Sequence, residues 1–188
     1  MENEKKMKIV GLVGSLRKDS FNRILMAEAV KLCPAEAEIE ILGIELPPFN
    51  QDRETDLPKE VKKFKEKIRS ADAILIATAE YNYSIPGVLK NAIDWASRPY
   101  GDNSLEGKPV AVMSASIGML GGARAQYHLR QVFVFLDMHP VNRPEVMVSF
   151  AAEKIQGGVL QDETTKEKVN ELLQALIAWA KRLGNNKG

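Results

Sequence analysis

Cysteine is nearly absent. Cys33 is the only one among 188 residues, so neither an intramolecular disulfide nor a multi-cysteine metal centre can form. Such usage points to a reducing compartment, with the cytoplasm the best fit. Cys33 precedes Pro34 where a helix should end, and it reads as a small buried hydrophobe rather than a reactive thiol. Histidine is almost as scarce. His128 and His139 stand without a cluster of supporting ligands, read as structural, and give no reason to expect a metal site. Long apolar runs are missing too. The mixed-charge start MENEKKMK is followed only by the short run Ile9 to Val13, too short for a signal-peptide core or a membrane span, and no later run reaches spanning length. Charge of one sign is also lacking: 26 Lys plus Arg meet 25 Asp plus Glu, and a net charge of +1 provides no field for nucleic acid or anionic lipid. No low-complexity tract or long-period repeat supports a solenoid. What remains is 45% hydrophobic and 27% charged, the composition of one soluble domain spanning residues 1–188.

Within that domain, short apolar runs alternate with longer amphipathic stretches, the pattern of a parallel sheet with crossover helices. Strands are expected over Lys8–Val13, Glu38–Ile44, Ala73–Thr78, Pro109–Ser114 and Val141–Val148, the second alternating enough for a sheet edge. Helices are expected over Asn22–Lys31, Pro58–Ser70, Val88–Ser97, Gly122–Met138 and Thr164–Leu183, the last stopped by Gly184. Five strands with right-handed crossovers give an α/β, flavodoxin-like sheet of order 2-1-3-4-5 with helices on both faces. Sheets of this kind bind ligands beyond the carboxyl ends of their strands, so the loops after strands one, three and four should hold the site.

The first of these loops, Gly14-Ser15-Leu16-Arg17-Lys18-Asp19-Ser20-Phe21-Asn22, lies between a strand and a helix. A helix N-terminus, the hydroxyls of Ser15 and Ser20, the Asn22 amide and the Arg17 charge could together cradle one phosphate. The blander alternative is that Ser20 only caps the helix and Arg17 sits in solvent. Neither the Gly-x-Gly-x-x-Gly of a dinucleotide site nor the Gly-Lys-Ser/Thr of a triphosphatase is present. The second loop, Ala79-Glu80-Tyr81-Asn82-Tyr83-Ser84-Ile85-Pro86-Gly87, suits a flat heterocycle: Asn82 can donate and accept along a ring edge, and Tyr81 offers an aromatic edge or face. Packing tyrosines and a surface Glu80 are the alternative. The third, Ser114-Ala115-Ser116-Ile117-Gly118-Met119-Leu120-Gly121-Gly122, is built of residues small enough for a ring to approach the backbone, though its glycines could be simple turn formers.

The segments GSLRKDSFN, AEYNYSIPGVLKNAIDWASRP and SIGMLGGARAQYHLRQ resemble the three signatures of the NADPH-dependent FMN reductase family, on the branch of bacterial quinone and chromate reductases. The resemblance implies FMN as cofactor, NAD(P)H as electron donor, and quinones, free flavin, azo compounds or chromate-like oxyanions as small-molecule acceptors. It implies that Ser15, Arg17, Ser20 and Asn22 hold the FMN phosphate, with Leu16 and Phe21 lining that loop. Glu80, Tyr81, Asn82 and Tyr83 would flank the flavin ring, and Ser116 and Gly118 would approach it from the third loop. One departure is Ala79, where the family commonly has proline. The flavin would carry the chemistry in a ping-pong cycle, so no catalytic side chain is required.

The helix around Arg124–Met138 has two apolar faces: Ala125, Leu129, Val132, Phe133 and Leu136 on one, Tyr127, Val134, Phe135 and Met138 on the other. The sheet can cover one face and a second subunit the other, as a homodimer or homotetramer, which the resemblance also implies. Tyr127 and Arg130 fall on a surface stripe, and Arg17 or Arg124 could attract an anionic acceptor. A non-enzymatic flavodoxin-type carrier is the rival on the same fold, but such carriers are strongly acidic and this chain is neutral. A phospho-receiver domain would need acidic residues at the end of strand one and an Asp after strand three, where Gly14-Ser15 and Glu80-Tyr81 stand.

Overall fold

Ile9 and Val13 join one buried cluster while Val10 and Leu12 join another, a division possible only in a strand covered on both faces. In the computed structural model, which describes residues 6–185, that strand is β1 (Met7–Gly14). It pairs in parallel with β2 (Ala37–Leu42) and β3 (Ala73–Thr78), Ile9 standing opposite Ile39 on one side and Ala73 on the other. Strand β4 (Pro109–Ala115) continues beyond β3, and β2 takes the edge that its alternation suggested. Helices α1 (Phe21–Lys31) and α6 (Glu163–Asn185) cover one face with Leu25, Met26, Leu172, Leu173 and Leu176. The other face carries α2 (Lys59–Ser70), α3 (Gly87–Ser97) and α4 (Ala123–Phe135), through Phe64, Ile68, Leu89, Ile93, Leu129 and Phe133. The sheet order is the expected 2-1-3-4-5.

The fifth position departs from expectation. Instead of one strand over Val141–Val148, β5 (His139–Pro140) pairs with the start of β4 and β6 (Val146–Val148) with its end, Met113 to Ala115. Pro140 and Pro144 lack the N–H that a ladder needs, and Arg130 of α4 takes the Val141 carbonyl (3.1 Å) and Asn142 Oδ1 (3.2 Å) between the two pieces. The sequence pattern also gave no warning of the short helix α5 (Ala151–Lys154) or of the hairpin of β7 (Ile155–Gln156) and β8 (Val159–Leu160), joined through Gly157-Gly158. Gly184 does not stop α6, which runs through it to Asn185. Helix α4 ends at Phe135, where Asp137 turns to φ 52° and the Met138 N–H reaches back to the Phe133 carbonyl (3.0 Å). That turn sends Met138 into the core, so it does not belong to the outward face of α4.

A polar anchor holds the periphery. Lys65 of α2 is fully buried, donating to the carbonyls of Arg98 and Asp102 (2.7 Å to the latter) and pairing with the Asp102 carboxylate at 3.1 Å. Burial pulls the Lys65 pKa down against the pull of Asp102. Cys33 is half-buried at the margin of the first core, and burial pushes its thiol up, away from reactivity.

Helix α6 begins at a cap, with Asp162 accepting the Thr165 N–H (2.8 Å) and hydroxyl (2.5 Å). The hydroxyl bond, opposed by burial and helped by the Thr165 N–H and the Lys154 charge, holds the Asp162 carboxyl below its ordinary value. A depressed carboxyl contributes stability in full above its unfolded pKa, and loses it as pH falls through the folded one. Asp162→Ala should cost about 1 kcal/mol in urea unfolding near neutrality. Asp162→Asn, which caps without titrating, should close its stability gap with the natural protein as pH drops below about 4. A gap independent of pH would contradict the assignment.

Candidate functional site

Three loops leave the carboxyl ends of β1, β3 and β4, adjacent positions in the sheet, and therefore emerge side by side. The first is tight. After Gly14, Ser15 N–H turns back to the Val13 carbonyl (2.8 Å), and Ser15 Oγ accepts the Arg17 N–H (3.4 Å). A side chain at Gly14 would press on Leu89 and Thr78, each 3.0 Å from its Cβ, so the strand end stays slim beside α3. Ser15 and Ser20 are buried, Leu16 and Arg17 are exposed, and Phe21 packs at the edge of the first core. Ser20 occupies the N-cap of α1 but its side chain makes no capping bond, which sets aside the simple capping role and leaves its hydroxyl free for a ligand. Asn22 joins two loops. Its Oδ1 accepts the Ala115 N–H (2.8 Å) and its Nδ2 donates to the Ala115 carbonyl (3.0 Å), tying the first loop to the third.

The second loop is a β-turn, with Tyr81 N–H to the Ser84 carbonyl at 3.0 Å and Ser84 N–H to the Tyr81 carbonyl at 2.9 Å. Asn82 and Tyr83 take φ 50° and φ 66°, the type I′ geometry that asparagine tolerates and tyrosine resists. Both side chains, with that of Tyr81, are exposed at the mouth of the site. Glu80 holds the turn in place. Its Oε2 accepts the N–H groups of Arg124 (3.0 Å) and Ala125 (3.3 Å), capping α4 from outside the helix, and its Oε1 pairs with the Arg124 guanidinium (3.0 Å). Arg124 in turn stacks on Tyr83, 3.8 Å from the ring centre. Sequence reasoning placed Glu80 against the ring and Arg124 near the pocket, but it gave no sign that the two form one clamp. Pairs 44 residues apart leave no local signal.

The third loop is closed from behind by β6 and the start of α5: Ser116 N–H donates to the Val148 carbonyl (3.0 Å), Ala151 N–H to that of Ser116 (2.9 Å) and Phe150 N–H to that of Gly118 (3.3 Å). Gly121 and Gly122 have φ 59° and 89°. A Cβ on Gly122 would lie 2.7 Å from that of Ser114, and one on Gly121 2.6 Å from the Met147 carbonyl carbon. Ile117, Met119 and Leu120 project outward as an apolar rim, with Ser116 half-buried and Gly118 exposed between them and the strand.

His128 bears on this site only at its edge, Nδ1 lying 2.9 Å from Ser84 Oγ, while the carbonyl of His139 accepts Trp179 Nε1 (3.0 Å). Tyr127 is exposed, its hydroxyl 3.3 Å from Glu145. Among the described residues there is no group of three or more His, Cys, Asp or Glu that could hold a metal. A hollow of about 870 Å3, lined in part by Met7, Glu36, Asp72 and Lys181, lies at the opposite ends of the strands. Of its charged groups, Lys181 is engaged with Glu36 (2.5 Å) and Asp72 with the Lys8 N–H (2.8 Å), and it offers no set of hydroxyl, guanidinium and helix N-terminal donors like that of the first loop.

Two buried hydroxyls, an exposed guanidinium and the first turn of α1 make a donor set for a single phosphate; the exposed asparagine, the tyrosines and the glycine-rich backbone beside it suit a flat ring. The fold is of the doubly wound class, and its site suits a ligand that joins one phosphate to a flat ring. The model of the NADPH-dependent FMN reductase family matches residues 7–153, and the chain belongs to that family. It is an oxidoreductase, with FMN as cofactor and NAD(P)H as electron donor. It is 49% identical over 180 residues to the NAD(P)H-dependent FMN reductase PA1204 of Pseudomonas aeruginosa, covering 94% of this chain and 97% of that one. To the quinone reductase of Escherichia coli K12 it is 42% identical over 184 residues, covering 95% and 97%. Among solved structures it is similar to FerB, a flavoenzyme NAD(P)H:(acceptor) oxidoreductase from Paracoccus denitrificans, with TM-score 0.86, 39% identity, and coverage of 94% and 98%.

Removing the Glu80 clamp should loosen the second loop and α4 together. Glu80→Ala is expected to cost about 1–2 kcal/mol in denaturant unfolding, and Glu80→Gln, which keeps an acceptor for the two N–H groups, less. Equal stability of Glu80→Ala and the natural protein would rule out the clamp.

Proposed function

We propose that the chain is an NAD(P)H:quinone oxidoreductase that binds FMN across the three loops and passes two electrons at a time, by a ping-pong cycle, to quinones or comparable small acceptors. The observation that carries this reading is the juxtaposition of a phosphate-type donor set on the first loop with an open, ring-sized mouth on the second and third. Ser15, Ser20 and Arg17, with the N–H groups opening α1, hold the phosphate, and Leu16 and Phe21 shape that loop. Asn22 contributes by fixing the cradle to the end of β4. Asn82 offers donor and acceptor to the ring edge, Tyr81 and Tyr83 border it, Glu80 keeps their turn seated, and Ser116 and Gly118 bring up the backbone. FMN, when bound, supplies the hydride chemistry. The chain's own part would be to hold the ring beside the exposed Tyr81, Asn82 and Tyr83, where NAD(P)H and then a quinone could reach it in turn, the second proton that the quinone needs coming from water.

The names of the relatives support quinones as acceptors, and the apolar rim of Ile117, Met119 and Leu120 suits a flat, weakly polar one. Free flavin, azo compounds and chromate-like oxyanions are further acceptors under this reading; for the anions neither arginine is left over, Arg17 being given to the phosphate and Arg124 held by Glu80 and Tyr83. A cytoplasmic setting belongs to the same proposal and rests on the single, half-buried thiol.

We further propose a homodimer or homotetramer through α4. Val134 and Phe135 are 81% and 78% exposed, beside a hollow of about 320 Å3 lined in part by Phe49, Ile93 and Val132. Light scattering should give a dimer or tetramer at micromolar concentration and a smaller species for Phe135→Glu; a natural protein that is monomeric there overturns the assembly.

The purified protein should be yellow, bleach on anaerobic NADPH addition, and regain its colour when a benzoquinone is added. Bound flavin that stays oxidised after rapid mixing with both NADPH and NADH would sink the mechanism.

A further inference from the structure

Gln126 is fully buried on the sheet-facing side of α4, among Ala125, Leu129 and Phe133. Packing alone would be met there by leucine or methionine, with no polar group to desolvate. Both of its amide protons are used: Nε2 lies 2.7 Å from Ser114 Oγ and 2.9 Å from the Val146 carbonyl. Its Oε1, by contrast, is buried with no hydrogen-bond partner. An amide whose acceptor lies idle while both donors are engaged is present for its donors.

Those donors give the hydrogen-bond chain beyond Gln126 a fixed direction. Ser114 Oγ accepts from Gln126 and sends its own proton onward to the Gly121 carbonyl at 2.5 Å. The Gly121–Gly122 peptide is trans, so a carbonyl drawn toward Ser114 points the Gly122 N–H the opposite way, away from the core. Two adjacent glycines at φ 59° and 89° have little steric reason of their own to keep that peptide from flipping. The second donor bond grips β6, whose Val148 carbonyl takes the Ser116 N–H (3.0 Å). One amide therefore secures both ends of the third loop.

Resting on the reading of the site as flavin-binding, we propose that Gln126 is the positioning residue of the third loop, its buried amide acting through the Ser114 hydroxyl to set the Gly121–Gly122 peptide for cofactor binding. Gln126→Met keeps the volume and removes the donors; Ser114→Ala breaks the same relay one step later. Each apoprotein is titrated with FMN by fluorescence quenching, and hydrogen exchange is followed across residues 116–122. Both variants should raise the FMN dissociation constant roughly tenfold and speed exchange in the loop, and the double variant should be no worse than the weaker-binding single one, since the bonds act in series. Natural FMN affinity and natural loop exchange in Gln126→Met, with only a lower melting temperature, would reduce Gln126 to packing and overturn the proposal. Additive losses in the double variant would overturn the relay through Ser114. If Gln126→Met does not fold, Ser114→Ala decides by the same two readouts. Should the natural apoprotein take up no FMN, the flavin reading falls by itself, and exchange in the loop still tests whether the relay holds that peptide.

Discussion

The carboxyl end of β4 is where the parts of the site are fastened to one another. Asn22, entering from the first turn of α1, bonds both backbone groups of Ala115; Gln126, entering from α4, bonds the neighbouring Ser114 and the β6 carbonyl of Val146. A buried backbone pair satisfied by a side chain from 93 residues away cannot be released without leaving polar groups unpaired in a desolvated place. The phosphate-type loop, the glycine turn and the last strand of the sheet therefore keep fixed relative positions, which a cofactor spanning all three requires.

The second loop is held by a different force. Its strained type I′ turn has no deep side-chain anchor and depends on Glu80, which neutralises the positive end of α4 while pairing with Arg124. The Arg124 guanidinium lies over Tyr83 and steadies the one residue whose backbone resists the turn. The loops after β1 and β4, tied together through Asn22, flank a clamped but exposed turn after β3, an arrangement suited to a ligand held at its ends and open to its surroundings.

Much of this was legible in the residues. The two-faced apolar pattern of β1 and β3, the edge character of β2 and the three strand-to-helix loops followed from period and punctuation, and with them the topology and the end of the sheet that carries the site. The fifth strand was not, because Pro140 and Pro144 divide a run whose apolar content looks continuous. Met138 was assigned outward because helical spacing was carried past Phe135, where Asp137 reverses the chain. The type and place of Asn22 suit a phosphate ligand; its bonds to Ala115, which tie the first loop to the third, have no signal in the sequence.

Sequence by itself determined the class of chain and the inventory of the three loops: near-zero net charge, a doubly wound parallel sheet, hydroxyls and a guanidinium on the first loop, amide and aromatics on the second, small residues on the third. These are local properties, since strand period, turn residues and donor chemistry are written within a few neighbouring positions. The tertiary structure alone decided which polar groups are committed to each other, as with Lys65 and Asp102, Glu80 and Arg124, or Gln126 and Ser114, and which, like the Ser20 hydroxyl, make no capping bond to their own helix. Such pairings join residues separated by tens of positions, and their stability comes from the exclusion of water, which exists only once the core has closed around them.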